Sequence, residues 1–150
     1  MDFYGTFEHA LDAKNRLTVP AKFRDALKAG VMLAISPETE LSNARSLAIW
    51  RPGDYSGFVD QALAGMNPLA PRTRDLRLLL YANAWDQELD AANRLVIPPR
   101  ARELVGLQRE VVITGAGDHL ELWDRASFLE YNNNALARFA EITARFDHTD

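Results

Sequence analysis

Two short stretches of the chain carry the same set of charged and hydrogen-bonding side chains, in the pattern Asp-x-x-Asn-Arg. The first holds Asp12, Lys14, Asn15 and Arg16, and the second holds Asp90, Asn93 and Arg94. An aspartate carboxylate accepts backbone N–H bonds at the start of a turn, and asparagine tolerates the left-handed backbone that tight turns often require. The arginine that follows has two options. It can pair with its aspartate as a structural clasp, or it can present its guanidinium to an external partner.

These stretches belong to a longer internal repeat, in which Leu11–Pro20 returns as Leu89–Pro98. Each copy predicts a strand that ends at the aspartate, a tight reversal, a second strand from the arginine, and a helix opened by a proline. A repeat of this length fixes the architecture before function is considered. We therefore expect both turns to be held by stiff two-stranded ribbons, with Arg94 placed as Arg16 is.

The rest of each copy also matches. Short apolar runs bounded by turn residues predict buried strands in hairpins, and apolar side chains at helical spacing predict helices. The predicted strands are Val31–Ile35, Leu47–Trp50, Val111–Thr114 and Leu120–Trp123, and the predicted helices are Asp54–Leu63, a stretch from Pro71, and a terminal helix from Phe128 to Phe146 with a break around Asn132–Asn134. The segment Gly65–Pro71 is the best boundary between the halves. The sequence thus predicts an α+β protein with modules at residues 1–65 and 66–150.

Composition favours a compact protein without redox or membrane chemistry. The chain has 150 residues, 47% of them hydrophobic, and no cysteine. No signal peptide is evident at the N-terminus and no apolar run is long enough for a membrane span. Each half is near the lower size limit for independent folding, so we expect the halves to pack together or to oligomerise. The histidines His9, His119 and His148 are scattered and no catalytic or phosphate-binding motif is present, so we expect no enzyme, no metal and no cofactor.

Charge is distributed unevenly along the chain. The net charge of −4 argues against a protein that coats nucleic acid without selectivity. Residues 13–28 nevertheless hold five lysines and arginines against one aspartate, whereas residues 103–124 are mainly acidic. Such a division fits a nucleic-acid contact at the basic end, but it also fits ordinary solvated surfaces.

Together, the motifs resemble the MraZ family. The resemblance rests on the opening Phe3-Tyr4-Gly5, the turns Asp12–Arg16 and Asp90–Arg94, the helix start from Pro20 to Arg24, and the strand Leu120–Trp123. It implies two tandem AbrB-like β-barrel modules of the double-ψ or swapped-hairpin type, with short helices and a C-terminal helix. It also implies a ring-shaped homo-oligomer of about eight or more subunits. Such a ring would bind short direct repeats in promoter DNA and would mainly repress the division and cell-wall gene cluster that includes its own gene, placing it in the cytoplasm at the nucleoid.

The resemblance assigns roles to the turn residues. Arg16 and Arg94 would contact guanine or phosphates, Lys14 would add phosphate affinity, Asn15 and Asn93 would shape the turn or touch base edges, and Asp12 and Asp90 would be structural. The family pattern usually has glycine before the arginine, where both copies here have asparagine. Ala92 replaces Lys14 in the second copy, which predicts unequal contributions. The alternative is an AbrB-like module that works through proteins, as an antitoxin-type partner or a ring scaffold.

Overall fold

A computed structural model describes residues 2–39 and 43–147, the last three by their backbone alone. Within this part of the chain, helices accompany strands that pair only in antiparallel fashion, which confirms the α+β class. The elements are β1 Thr6–Ala10, β2 Arg16–Thr18, a 3-10 helix Ala21–Phe23, β3 Val31–Ile35, β4 Leu47–Trp50, α1 Pro52–Leu63, α2 Pro71–Ala82, β5 Ala84–Gln87, β6 Arg94–Val96, α3 Pro99–Val105, β7 Glu110–Gly115, β8 Leu120–Asp124, α4 Arg125–Ala137 and α5 Phe139–Asp147.

The two repeats exchange strands. A six-stranded antiparallel sheet has the order β1-β7-β8-β4-β3-β5, and β2 and β6 form a separate two-stranded ribbon. Strand β1 of the first repeat pairs with β7 of the second, and its counterpart β5 pairs with β3 of the first. Equivalent strands meet where β4 pairs with β8 and where β2 pairs with β6. Every pairing therefore has its counterpart under an approximate two-fold relation between the repeats.

This exchange corrects the predicted ribbons. A strand, a reversal and a second strand do follow one another in each copy, but the two strands that flank a turn do not pair with each other. The ribbon that forms at the turns is built from β2 of one copy and β6 of the other. Pairing between these distant strands satisfies the backbone hydrogen-bonding groups of β2 and β6. The spacing of residues within one copy gives no information about such a distant partner.

The main core is shared by both repeats. The largest fully buried side chains come from both sides of residue 65: Phe3, Leu11, Leu17, Leu27, Leu33, Leu47, Ile49, Leu95, Ile97, Ile113, Leu120 and Leu122. The division that we predict at residue 65 falls in the turn between α1 and α2, where the first sequence repeat ends. Packing does not follow that division, because strands and core side chains of one half complete those of the other.

Helices cover the outer face of the sheet at two places. Helices α1 and α2 pack over β3 and β4, where Trp50, Tyr55 and Val59 form a second buried cluster. Helix α4 packs over β7 and β8, with Trp123 against the rings of Phe128 and Tyr131 at centroid distances of 5.7 and 5.2 Å. Helix α4 continues through the segment Asn132–Asn134, where we predict a break or a cap. Helix α4 instead ends at Ala137, with Arg138 between it and α5, and the side chain of Phe146 lies outside the described residues.

The proline-opened segments differ between the copies. Pro98 and Pro99 open α3, which ends at Gly106 in the left-handed conformation, as predicted. Pro20 precedes only one turn of 3-10 helix, and the chain then continues to Gly30 through further bonds between residues three apart. Phe23 and Leu27 are nevertheless buried on one side, so the predicted packing holds without the predicted α-helix.

A polar cluster joins the repeats beside the β4–β8 seam. The ring of His119 stacks on Trp50 at a centroid distance of 4.2 Å, and its two nitrogens lie 2.7 Å from the Asp118 carboxylate and 2.8 Å from that of Glu121. Glu121 also accepts a 2.6 Å hydrogen bond from the Ser46 hydroxyl of the first repeat. Burial acts to lower the pKa of His119, but the hydrogen bonds that its ring donates to the two carboxylates outweigh it and the pKa is raised.

We expect this cluster to make stability depend on pH. A histidine whose pKa is higher in the folded than in the unfolded protein stabilises the fold fully below its ordinary value of 6.5. That stabilisation is lost as the pH rises through the folded-state pKa. The free energy of unfolding, measured with denaturant at pH values from 6 to about 9, should therefore fall with pH in the unmodified protein and fall less in His119→Gln. An identical slope in both proteins would contradict this role.

Of the helices in the described part of the chain, none is long and apolar enough to cross a membrane.

Candidate nucleic-acid interface

Each turn is built by its aspartate and its asparagine. The Oδ1 atom of Asp12 accepts hydrogen bonds of 2.9 Å from the backbone N–H groups of Lys14 and Arg16, and the N–H of Asn15 donates to the Asp12 carbonyl at 2.9 Å. Asn15 has a φ of 58°, in the left-handed region, as the sequence predicts. The turn is therefore fixed by local bonds before any partner is present.

The second turn repeats this geometry. Asp90 accepts 2.9 Å bonds from the N–H groups of Ala92 and Arg94, and Asn93 has a φ of 59°. The two asparagines are the non-glycine residues with positive φ in the described part of the chain. Their carbonyls also link the repeats, because Asn93 accepts from the N–H of Val19 at 3.0 Å and Asn15 accepts from that of Ile97 at 3.1 Å.

The left-handed asparagines lead to a prediction about substitution. Asn93→Gly should leave stability and DNA affinity nearly unchanged, because glycine adopts this backbone without steric cost. Asn93→Val should lower the free energy of unfolding by roughly 1–2 kcal/mol, the cost of placing an ordinary L-residue there. Thermal melts of the two variants test this, and equal losses of stability in both would show that the asparagine side chain matters more than the backbone.

Both arginines pair with their own aspartates through Nε. The Arg16 Nε lies 2.7 Å from Asp12 Oδ2, and the Arg94 Nε lies 2.8 Å from Asp90 Oδ2. Within the described residues, the Nη groups of both arginines have no hydrogen-bond partner. A clasp that uses Nε alone leaves the planar fork of donors available. Pairing with the aspartate and contact with an external partner are therefore compatible.

The clasp is charged over the whole physiological pH range. The backbone N–H of Arg16 is the main reason that the pKa of Asp12 lies below its ordinary value of 3.8, and the guanidinium of Arg16 lowers it further. The pKa of Asp90 is lowered in the same way by Arg94. Both carboxylates thus remain ionised and able to orient the arginines.

The β2–β6 ribbon brings the two turns together. Its antiparallel register places Arg16 opposite Val96, Leu17 opposite Leu95, and Thr18 opposite Arg94. Leu17 and Leu95 are buried in the main core, so the other four side chains occupy the opposite, outer face. Arg16 and Arg94 are diagonal neighbours on that face, on the order of 7–8 Å apart at Cα.

The surroundings of the two turns differ in charge. Lys14 is exposed next to Arg16. The second turn has Ala92 at the position of Lys14. The first turn is thus the more positive of the two.

The sequence does not decide whether Arg24 and Arg102 serve in packing or in binding. In the fold, the two side chains have different surroundings. The Nε of Arg24 donates to the Val19 carbonyl at 2.9 Å and so ties the 3-10 helix to the end of β2. The Nε of Arg102 is buried and has no hydrogen-bond partner in the described region. Arg24 therefore has a structural contact through Nε, as Arg16 and Arg94 have in their clasps.

Sequence reasoning missed Thr18 and Val96 as members of this face. Both are exposed, Val96 to 49%, although each is adjacent in sequence to a buried leucine. The alternation within each short strand was the available signal, since an inward Leu17 requires an outward Thr18. The partner strand, which sets Val96 beside Arg16, had no local signal.

No group of three or more histidine, aspartate or glutamate side chains is placed to hold a metal ion in the described ranges.

Comparison with known proteins identifies the family. A family model described as "MraZ protein, putative antitoxin-like" matches residues 3–77 and again residues 80–149. A protein of Nocardioides sp. named "Transcriptional regulator MraZ" is 38% identical over 99% of both chains. Proteins of the same name from Corynebacterium urealyticum and Mycoplasmoides gallisepticum are 37% identical over 92% of both chains and 30% identical over 97% of both chains. With both repeats matched and relatives aligned over nearly their whole length, this chain belongs to the MraZ family.

Proposed function

We propose that this protein is a transcriptional regulator that reads promoter DNA with the outer face of the β2–β6 ribbon. The observation that carries the proposal is the pair of clasped arginines on this face, whose Nη groups have no hydrogen-bond partner within the described residues. A two-stranded ribbon fits the major groove, where an arginine can make two hydrogen bonds to one guanine. The expectation that the chain is not an enzyme is confirmed by the family, whose relatives above are named as regulators.

In this proposal the turn residues have distinct roles. Arg16 and Arg94 contact guanine edges or flanking phosphates, and Lys14 adds phosphate affinity at the first turn. Asp12 and Asp90 hold the guanidinium planes through Nε. Asn15 and Asn93 give the turns their left-handed residue and connect the two repeats through their carbonyls.

The strand exchange supports the AbrB-like, swapped-hairpin barrel as the fold that presents this face. In such a barrel, each repeat contributes a strand to the other, as β1 and β5 do here. We accordingly propose one intertwined pair of AbrB-like modules per chain.

Exposed apolar side chains support assembly into a ring. Leu78, Leu79 and Tyr81 of α2 are 50%, 61% and 47% exposed, and Leu136 and Phe139 at the end of the chain are 62% and 64% exposed. The first patch lies on α2, which packs with α1 over β3 and β4, and the second lies where α4, which packs over β7 and β8, meets α5. A head-to-tail contact between unlike patches closes into a ring when the rotation permits. We propose a homo-oligomer of about eight or more subunits.

A ring would also account for binding by an acidic protein. With a net charge of −4, a single ribbon should hold DNA weakly. Several ribbons on one ring would hold several short direct repeats tightly, because each further contact is intramolecular. The proposed target is the promoter of the division and cell-wall gene cluster that includes the protein's own gene, with repression as the outcome and the nucleoid as the location.

The experiment combines light scattering with fluorescence anisotropy. Duplexes carrying one or three repeats from the DNA upstream of the gene are titrated with protein whose oligomeric state has been measured. We expect a ring, much tighter binding to three repeats than to one, and a steep loss of affinity with salt. A clean monomer at micromolar concentration, or equal affinity for both duplexes, would contradict the ring model.

A second candidate function follows from the words "antitoxin-like" in the family description. The exposed apolar side chains of α2, α4 and α5 could cover a protein partner instead of a second copy. Specific binding of the purified protein to its promoter would favour regulation, and the absence of such binding would favour the protein-partner role.

A further inference from the structure

Thr18 and Val96 share the outer face of the ribbon with the two arginines. The register gives two cross-strand pairs on the outer face, Arg16 with Val96 and Thr18 with Arg94. Directly opposed residues in an antiparallel pair lie about 4.5–5.5 Å apart at Cα. Each arginine therefore has one β-branched side chain directly opposite it on the partner strand, and the other lies two residues along its own strand.

Val96 does not contribute to the core, so packing does not explain why an apolar residue occupies this position. Its neighbours Leu95 and Ile97 point inward and are 0% and 1% exposed, while Val96 itself is 49% exposed. A single apolar residue on a surface is ordinary by itself. This one lies on the narrow face that carries both clasped arginines, directly across from Arg16.

The two-fold relation between the repeats is broken at this position. Val96 in the second repeat corresponds to Thr18 in the first, so the arginine pairs differ in chemistry although their backbones match. Lys14 and Ala92 break the relation at the same two turns. The cross-strand pair of Arg16 and Val96 thus combines the more positive turn with an apolar neighbour, and the pair of Arg94 and Thr18 combines the less positive turn with a polar neighbour.

The major groove has one apolar group that such a side chain can recognise. Thymine presents a 5-methyl group there, and the other three bases present hydrogen-bonding atoms alone. A valine beside an arginine matches a thymine beside a guanine. A threonine matches less selectively, because it offers one methyl group to thymine and its hydroxyl can also serve a donor or an acceptor on another base.

We propose that Val96 is a specificity-determining residue that selects a thymine adjacent to the base contacted by Arg16. Thr18, at the equivalent position beside Arg94, selects the identity of its base less strictly. One ribbon would then read its DNA box with a defined direction, although the fold is nearly symmetric. This inference rests on the proposed DNA binding.

Replacement of thymine by deoxyuridine provides the test, because it removes only the 5-methyl group. Each thymine in a duplex of the repeats upstream of the gene is replaced in turn, and affinities are measured for the full-length protein, Val96→Thr and Thr18→Val. For the unmodified protein, we expect one position at which affinity falls about fourfold per box, the factor for one methyl group removed from an apolar environment. Val96→Thr should be less sensitive there, because threonine keeps one methyl group and replaces the other with a hydroxyl. Thr18→Val, the matched control, should keep the sensitivity and gain a second sensitive position if thymine lies there.

The outcomes separate this inference from the proposed function. Tight binding by the unmodified protein with no sensitive thymine, or with a sensitivity that is undiminished in Val96→Thr, would overturn the role of Val96 while leaving DNA binding intact. Failure of the unmodified protein to bind any of the duplexes would overturn both. Thermal melts and light scattering on the variants confirm that fold and assembly are unchanged.

Discussion

Replacement of Arg16 by alanine should weaken binding to promoter DNA by roughly 1–3 kcal/mol for each guanine that the side chain no longer binds. This corresponds to about a five- to 150-fold decrease in affinity. In a ring, the decrease is amplified, because the side chain is presented by every subunit. Arg94→Ala should act in the same direction but less strongly, since Ala92 stands where the first turn has Lys14.

Stability should barely change in these variants. The pairs of Arg16 with Asp12 and of Arg94 with Asp90 lie at the surface, where such pairs contribute about 0–1 kcal/mol. Arg100→Ala is a matched control, because it removes an arginine that is also paired with a nearby carboxylate, Glu103 at 3.3 Å, but that lies outside the ribbon. Promoter affinity, oligomer size and thermal melts are measured on all three variants.

The aspartate provides an independent test of the clasp. Asp12→Asn retains Arg16 but weakens the charge-assisted bond from its Nε, so affinity should fall to a level between those of the unmodified protein and Arg16→Ala. If both arginine variants bind the promoter normally with their oligomers intact, the turns are not the DNA-reading element. The clasp would then be their only role.

The parts of the interface that depend on neighbours in sequence were predictable. The aspartate-capped turn and the left-handed asparagine follow from side-chain chemistry within five residues, and the structure has both. Strands β3 and β4 also coincide with the predicted runs Val31–Ile35 and Leu47–Trp50. In these cases the conformation of a segment is determined by the segment's own residues, so the local sequence is sufficient to predict it.

The partner of each strand was not predictable in the same way. The stretches on either side of Asp12 look like the arms of one hairpin, yet β1 pairs with β7 and β2 with β6. Alternation of buried and exposed residues indicates which face of a strand is buried, but it does not identify the strand with which it pairs. The place of Thr18 and Val96 on one face follows only from that pairing.

The strand exchange makes a strong prediction about the two halves. The fragment 1–65 should not fold as a monomer, because β1 loses β7, β2 loses β6 and β4 loses β8. What remains is the β3–β4 hairpin, and an isolated two-stranded hairpin is at best marginally stable in water. The fragment 66–150 likewise retains only the β7–β8 hairpin. An equimolar mixture of the two fragments should recover the sheet, the ribbon and the shared core.

Circular dichroism and light scattering on the fragments test this. Each fragment alone at low micromolar concentration should lack a cooperative thermal transition, and the mixture should show one. A full-length chain with a protease site inserted in the turn between α1 and α2 is the matched control, and it should stay folded after cleavage.

The dependence of folding on fragment concentration distinguishes a fragment that folds by forming a dimer from one that folds as a monomer. Because the repeats are equivalent, a second copy of fragment 1–65 can supply a strand like β7 to its β1, so any folding of the fragment alone should increase with concentration and coincide with dimer formation. A fragment that melts cooperatively as a monomer, at a temperature independent of concentration, would instead show that a half-chain forms a complete module. The exchanged strands would then be an exterior contact between two domains, and the shared core would not be required for either to fold.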